Sequence, residues 1–357
     1  MSPLRDKWII ENDPTVRRNV GGFGSPDRLT CYWAGPAAER CMLEDLAAEL
    51  PGQHWPVFTR DDQPDPWSFP RAADLVVGHG LWMKWLDKYR DLLPSCPRVN
   101  IVFCDCDYFK GYRYDRRQPA QELWDYAAGW VSGVVTNSRR LALDLMKQGV
   151  PARFTLHAAP ARFFDADAVD EYRCDVCWAG SIWTDGSYHK HWRKVLLPAA
   201  EACRDARAAM NIYGLKYRSG SKEALCENGA RYRGWIPFGD LPAAYASARI
   251  VLGLTQDTQQ EWGMVNNRVY EALAAGKPLV CDWFQALDDE GLSKFVVPVR
   301  SEAEAYEAVM DMLSTPASYD AALERAREGR EWVREHATYG HIARAVLDVA
   351  WEATCAA

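Results

Sequence analysis

The chain has 357 residues, a net charge of −7, and 48% apolar against 25% charged residues. That is the balance of a folded, water-exposed protein with two domains of about 150 to 200 residues each. It argues against a nucleic-acid binder that is basic over its whole surface, but leaves room for a local basic groove. No apolar run reaches the length of a bilayer span, and the start, MSPLRDKWIIENDP, is charged. A cytoplasmic protein without a signal peptide or membrane span is therefore expected. The 11 cysteines lack the spacing of a zinc framework and read as reduced, buried thiols, Cys174 and Cys177 among them. The 16 tryptophans suit either core contacts or the lining of a groove.

Residues 1–28 read as an extension. Its NVGGFGSPD stretch is turn-rich, but a phosphate-cradling glycine loop needs a strand before it and a helix after it, and here a strand follows. From residue 29 the pattern alternates. LTCYWAG, HWPVFT, ADLVVGHG, RVNIVFCDCD, GVVTNS and ARFTLHA read as strands. AAERCMLEDLAAEL, LWMKWLDKYRDLL, AQELWDYAAGW and RRLALDLMKQGV are the helices between them, the last opening after two good caps, Asn137 and Ser138. PARFFDADAVDEYR is polar, without a strong period, and marks a boundary. The alternation restarts with CDVCWAGS and runs through MNIYG, RYRGW, RIVLGLT, PLVCD and FVVPVR, with long helices to the end. Strands this continuously apolar predict parallel sheets covered on both faces. The expected fold class is α/β, with two Rossmann-like domains, residues 29–165 and 166–340, facing across a cleft, and a final helix over 341–357. In such sheets ligands sit at the carboxyl ends of the strands, at the switch point.

Candidate site residues follow from that placement. In MVNNRVYEAL, Asn266 or Asn267 can cap a helix whose first amides are unpaired, and Arg268 and Glu271, three apart, share a face. By themselves these residues also describe a capped surface helix with an Arg–Glu pair. Gly180 and Ser181 follow a buried strand, where backbone can approach a phosphate closely. Lys190, Arg193 and Lys194 lie just beyond, as phosphate partners or as a solvated helix face. His79 stands between two glycines at a strand end, a structural or an acceptor-side position. Asp105 and Asp107 end the next strand. They suit a general base or acceptor-binding role, a cap, or a D-x-D metal motif in which paired carboxylates hold a divalent ion. Residues 108–117 interleave Lys110, Arg113 and Arg116 with tyrosines and a phenylalanine, as a solvated loop or a surface for an anionic, stackable acceptor.

The order of pieces in the second half carries a resemblance. DVCWAGSIW, MNIYG, RYRGWIPFGDLPAAYASARIVLGLT, NNRVYEALAAGKPLVCD and REGREWVREHATYGHIARAVLDV resemble, in that sequence, the spore-maturation CgeB-like proteins of the group-1 GT-B glycosyltransferases. The resemblance covers roughly residues 130–350. It implies sugar transfer from a nucleotide-sugar to an acceptor hydroxyl. Donor contacts would come from Gly180, Ser181, Lys190, Arg193, Tyr213, Gly214, Asn266, Asn267 and Arg268. Glu271 would meet the ribose hydroxyls, and the Trp235–Ile236 loop the nucleobase. Where the family's first motif glutamate falls, this chain has Gly263, with Glu261 two residues away, so the stereochemical course is not carried over. The nucleotide-sugar is a co-substrate, and neither a cofactor nor a divalent metal is expected. The acceptor stays open between a glycan, an envelope polymer and a hydroxymethylated base in DNA, and oligomeric state is not legible. Loss of the motif glutamate also suits a non-catalytic binding protein on the same fold.

Overall fold

The computed structural model describes residues 30–34, 45, 46, 48, 49, 53, 54, 75–79, 98–102, 132–182, 191–215, 217 and 220–356. The chain divides into two compact units, one running to Leu156 and resuming at Tyr339, the other spanning His157–Thr338.

The first unit holds β1 (Thr30–Ala34), β2 (Gln53–His54), β3 (Leu75–His79), β4 (Arg98–Val102), β5 (Gly133–Thr136) and β6 (Ala152–Phe154). They form one sheet in the order β2-β1-β3-β4-β5-β6, with parallel pairing throughout. Leu75, Val76, Val77, Val134 and Val135 are fully buried, as both-face coverage requires. Helix α1 (Arg139–Lys147) is capped by Ser138, whose hydroxyl accepts from the Leu141 amide at 3.1 Å. Its Leu141, Ala142 and Leu145 face inward.

The second unit carries β7 (Cys174–Ala179), β8 (Met210–Tyr213), β9 (Ala230–Tyr232), β10 (Ala248–Gly253), β11 (Leu279–Asp282) and β12 (Val297–Val299). Its helices are α2 (Ala161–Phe164), α3 (His191–Asp205), α4 (Ser221–Glu227), α5 (Leu241–Ser247), α6 (Asp257–Trp262), α7 (Asn267–Ala274), α8 (Gln285–Asp289), α9 (Glu302–Ser314) and α10 (Pro316–His336). The sheet order is β12-β11-β10-β7-β8-β9, again with parallel pairing. Counted from its own first strand this is the doubly wound order 3-2-1-4-5-6. The core packs Val176, Trp178, Val195, Leu196, Ile212, Ile250 and Leu252 with Val309 and Met312 of α9, which lies against α3. A β-bulge interrupts the start of β7, where the amides of Asp175 and Val176 both donate to the Ala209 carbonyl. The cysteines Cys174, Cys177, Cys203 and Cys281 are buried free thiols, and Cys226 is an exposed one.

The last helix, α11 (Tyr339–Ala356), packs against β4, β5 and β6 of the first unit. Close approach there requires a glycine: a Cβ at Gly133 would lie 2.3 Å from a Val349 methyl and 2.7 Å from the Pro151 carbonyl. No described helix is long and apolar enough to cross a membrane.

Candidate functional site

In the second unit the strand order reverses between β7 and β10, which are hydrogen-bonded neighbours. Their connections leave in opposite directions, so the chain opens a crevice at their carboxyl ends. Arg268 bridges it. Its Nη2 donates to the Ala179 carbonyl at the end of β7 at 2.7 Å, and its Nη1 to the Leu254 carbonyl just past β10 at 3.5 Å. Gly180 makes room for the guanidinium, since a Cβ there would sit 2.7 Å from Nη2.

Arg268 reaches this point because α7 starts beside it. Asn266 is the N-cap, and its Oδ1 accepts from the Arg268 amide at 3.1 Å. Its Nδ2 donates to the Leu254 carbonyl at 2.9 Å and to the Thr255 hydroxyl at 3.0 Å, which pins the helix start to the end of β10. Asn267 lies one position on and donates from Nδ2 to Glu271 Oε1 at 2.8 Å. Glu271 is buried, at 2% exposure. The hydroxyl of Tyr245, buried nearby, is pushed well above its ordinary pKa by that burial, although the Arg268 charge pulls the other way.

A second group converges on the same edge. Gly180 donates to the Tyr213 carbonyl at 3.0 Å, and Gly214 to the Gly234 carbonyl at 2.9 Å. Tyr232 donates its hydroxyl to the Gly214 carbonyl at 2.8 Å, and Tyr217 donates to the Tyr213 carbonyl at 3.2 Å. The loops after β7, β8 and β9 are thus tied together, and Trp178, Tyr217 and Tyr232 stack edge-on in series. Burial raises the Tyr213 pKa to about 12. Trp235, in the loop after β9, is 59% exposed, and Ile236 is half-buried.

Arg193 is exposed on α3, its guanidinium 5.3 Å above the neighbouring Trp192 ring. His79 ends β3 in the first unit, and its side chain is not among those described. Asp105, Asp107, Lys110, Arg113, Arg116 and Lys190 lie outside the described residues, as does the NVGGFGSPD stretch. Among the described residues no three His, Cys, Asp or Glu side chains are grouped to hold a metal. Gly263, at the position of the missing motif glutamate, ends α6 in the left-handed conformation at φ 65°. Glycine is favoured there for backbone reasons. Glu261 is exposed on that helix.

Sequence reasoning missed one cluster on this edge. His191, the first residue of α3, lies between two carboxylates: Nδ1 is 3.0 Å from Asp282 Oδ2, and Nε2 is 2.8 Å from Asp257 Oδ1. Asp282 ends β11 and is fully buried. It also accepts from the Thr255 amide at 3.0 Å and from Gln260 Nε2 at 2.6 Å. Burial alone would lower the His191 pKa, but the hydrogen bonds and charges of Asp282 and Asp257 outweigh it and raise the pKa above 6.5. The available signal was an aspartate closing the apolar strand PLVCD, a charged residue at a strand's carboxyl end.

Residues 190–348 match the family described as "Glycosyl transferase-like". No curated protein matches the chain. Among solved structures, Anabaena Alr3699/HepE in complex with UDP-glucose is similar at TM-score 0.59 and 12% identity, over 92% of this chain and 98% of that one. Sucrose-phosphate synthase (tll1590) from Thermosynechococcus elongatus matches at TM-score 0.59 and 12% identity, over 92% and 100%. A UDP-N-acetylglucosamine 2-epimerase matches at TM-score 0.50 and 12% identity, over 84% and 91%. With two parallel Rossmann-like sheets, these neighbours identify the fold as GT-B.

Proposed function

We propose, from a glycosyl transferase-like segment on a GT-B fold, that this protein is an enzyme moving a sugar from a nucleotide-sugar to an acceptor hydroxyl. The observation that carries the reading is Arg268 at the switch point, beside the capped start of α7, with Glu271 one turn further on. Helix amides and a guanidinium together suit the charge that grows on a diphosphate leaving group as the glycosidic bond breaks. Glu271 is the ribose partner in this reading, since a carboxylate can accept from both hydroxyls of a cis-diol. The glycine-edged loops after β7 and β8 line the diphosphate, and the exposed Trp235 loop takes the base.

The UDP and UDP-glucose of the Anabaena neighbour make a uridine donor the first to try. The epimerase neighbour shows why fold alone does not decide the reaction. The reading includes a metal-independent reaction in the cytoplasm, where the acceptor is a glycan, an envelope polymer or a hydroxymethylated base in DNA. A CgeB-like specificity belongs to the same proposal and rests on the ordered motifs of the second half.

A thermal-shift screen over nucleotide-sugars tests the donor. A ligand at 100 times its Kd stabilises by about 2.7 kcal/mol, which a melting curve resolves. Nucleoside diphosphate release, measured with and without excess chelator, tests the chemistry. Arg268→Ala is expected to lower turnover by about ten- to a thousandfold. Glu271→Ala is expected to weaken donor binding instead. If no donor stabilises the protein and none is cleaved, the enzyme reading fails. Binding without cleavage favours the non-catalytic alternative suggested by Gly263.

A further inference from the structure

We propose that His191, together with Asp282, is a positioning residue of the donor site: the pair holds the amino end of α7 in place through Thr255 and Asn266. The inference rests on reading that helix start as the diphosphate site.

The path is one ion-pair contact followed by three hydrogen bonds. His191 Nδ1 lies 3.0 Å from Asp282 Oδ2, and the other Asp282 oxygen accepts from the Thr255 amide at 3.0 Å. The Thr255 hydroxyl accepts from Asn266 Nδ2 at 3.0 Å, and Asn266 Oδ1 accepts from the Arg268 amide at 3.1 Å. His191, Thr255, Asn266 and Asp282 are each at most 7% exposed. Few water molecules can reach such a chain, so each of its three hydrogen bonds has one arrangement that satisfies it.

The chemistry points past simple packing. A fully buried carboxylate needs a counter-charge, and removing one partner of a buried pair leaves the other uncompensated. Among the described residues Asp282 has two neutral donors, Thr255 and Gln260, and one ion-pair partner, His191. Among the described residues two charged groups face the imidazole: Asp282 from β11 and Asp257 from the start of α6. Lys194 lies one turn along the same helix. Of the other elements packed against α3, the helices α4 and α9 and the strands β9 and β10 bring no charged side chain into the field of the ring among the described residues.

The protonated ring therefore neutralises Asp282 and keeps Thr255 and Asn266 in register. Deprotonation leaves Asp282 held by neutral donors alone, and the α7 start loosens from the end of β10. The His191 pKa is raised from 6.5, so the ordered state is complete at acidic-to-neutral pH and fades as pH climbs through the raised value.

Two measurements on the full-length protein test this. In amide NMR, the Asn266, Asn267 and Arg268 signals of wild type should titrate with the midpoint of the His191 ring, above 6.5. His191→Gln should abolish that step, and Asp282→Asn should move it to lower pH. In calorimetry, UDP-glucose, whose diphosphate diester keeps one charge state between pH 6 and 9, should bind wild type about fivefold or more tightly below the step than above it. Binding to His191→Gln should be flat with pH and sit at the weaker limit. Amides at 266–268 that ignore the His191 titration overturn the proposal, and so does an unchanged step in His191→Gln. Should His191→Gln fail to fold, the Asp282→Asn midpoint decides. Failure of wild type to bind UDP-glucose or any other nucleotide-sugar would strike the donor reading instead, with the NMR arm still deciding the coupling.

Discussion

Gly214 occupies a place that accepts no side chain. Its φ is 151°, and a Cβ would fall 1.8 Å from the Gly180 carbonyl oxygen. The loops after β7 and β8 pack backbone to backbone at this point, and a methyl group would force them apart. Gly214→Ala should destabilise the protein by about 2–4 kcal/mol from overpacking and backbone strain. Urea unfolding measures this, and a wild-type midpoint would mean that the Gly180 loop gives way freely. Arg268 is the complementary case, a long side chain for which Gly180 leaves room. Its guanidinium spans two carbonyls on adjacent strands, a geometry that the single ammonium of lysine does not reproduce. Arg268→Lys should therefore behave like Arg268→Ala in turnover assays, and a near-normal rate in the lysine variant would show that charge alone suffices.

At the scale of the element, α7 is fixed at both ends by local chemistry. Asn266 caps the start, and the end closes in a Schellman motif: the amide of Gly276 donates to Leu273 at 2.8 Å and that of Lys277 to Ala272 at 3.1 Å. Gly276 sits at φ 65°, and a Cβ there would meet nothing closer than 3.5 Å. Gly276→Ala should thus cost about 1 kcal/mol, from conformation and not from a clash. Asn266→Ala should cost about 0.5–2 kcal/mol for the cap, and more through the Leu254 and Thr255 bonds lost with it. Hydrogen exchange along α7 would separate the two, with the first turn opening in one variant and the last in the other. A neighbouring effect comes from α3 and β11. Because the folded-state pKa of His191 lies above 6.5, its pairing stabilises the second unit fully below that value. The contribution is lost as pH rises through the folded-state pKa. The stability gap between wild type and His191→Gln should close over that window, and a gap independent of pH would assign the loss to packing.

For the whole molecule, the last helix belongs to the first sheet. Helix α11 covers β4, β5 and β6, where Val99, Ile101, Val134 and Val135 are fully buried. A chain cut after Thr338 should expose that face and lose exchange protection in β5 and β6. Amides of β7, β8 and β10 should keep theirs, since the His157–Thr338 unit retains its own core. Uniform protection in both units would refute this. Much of the architecture was legible beforehand because parallel strands covered on both faces must be apolar throughout. Such runs as LVVGH and CDVCWA stand out against amphipathic helices. Local signals likewise announced the start and end of α7, since caps are made by residues close in the chain. The sequence by itself thus determined the α/β alternation, the parallel strands and the turns that bound them. Only the tertiary structure decided that β7 and β10 lie side by side, that Arg268 spans their ends, that α11 returns to the first sheet, and that Asp282 meets His191. Those pairings join residues far apart in the chain, His191 and Asp282 by 91 positions and Gly133 and Val349 by 216. Nothing in a local window encodes them, because sheet order and burial choose the partners only after the elements have packed.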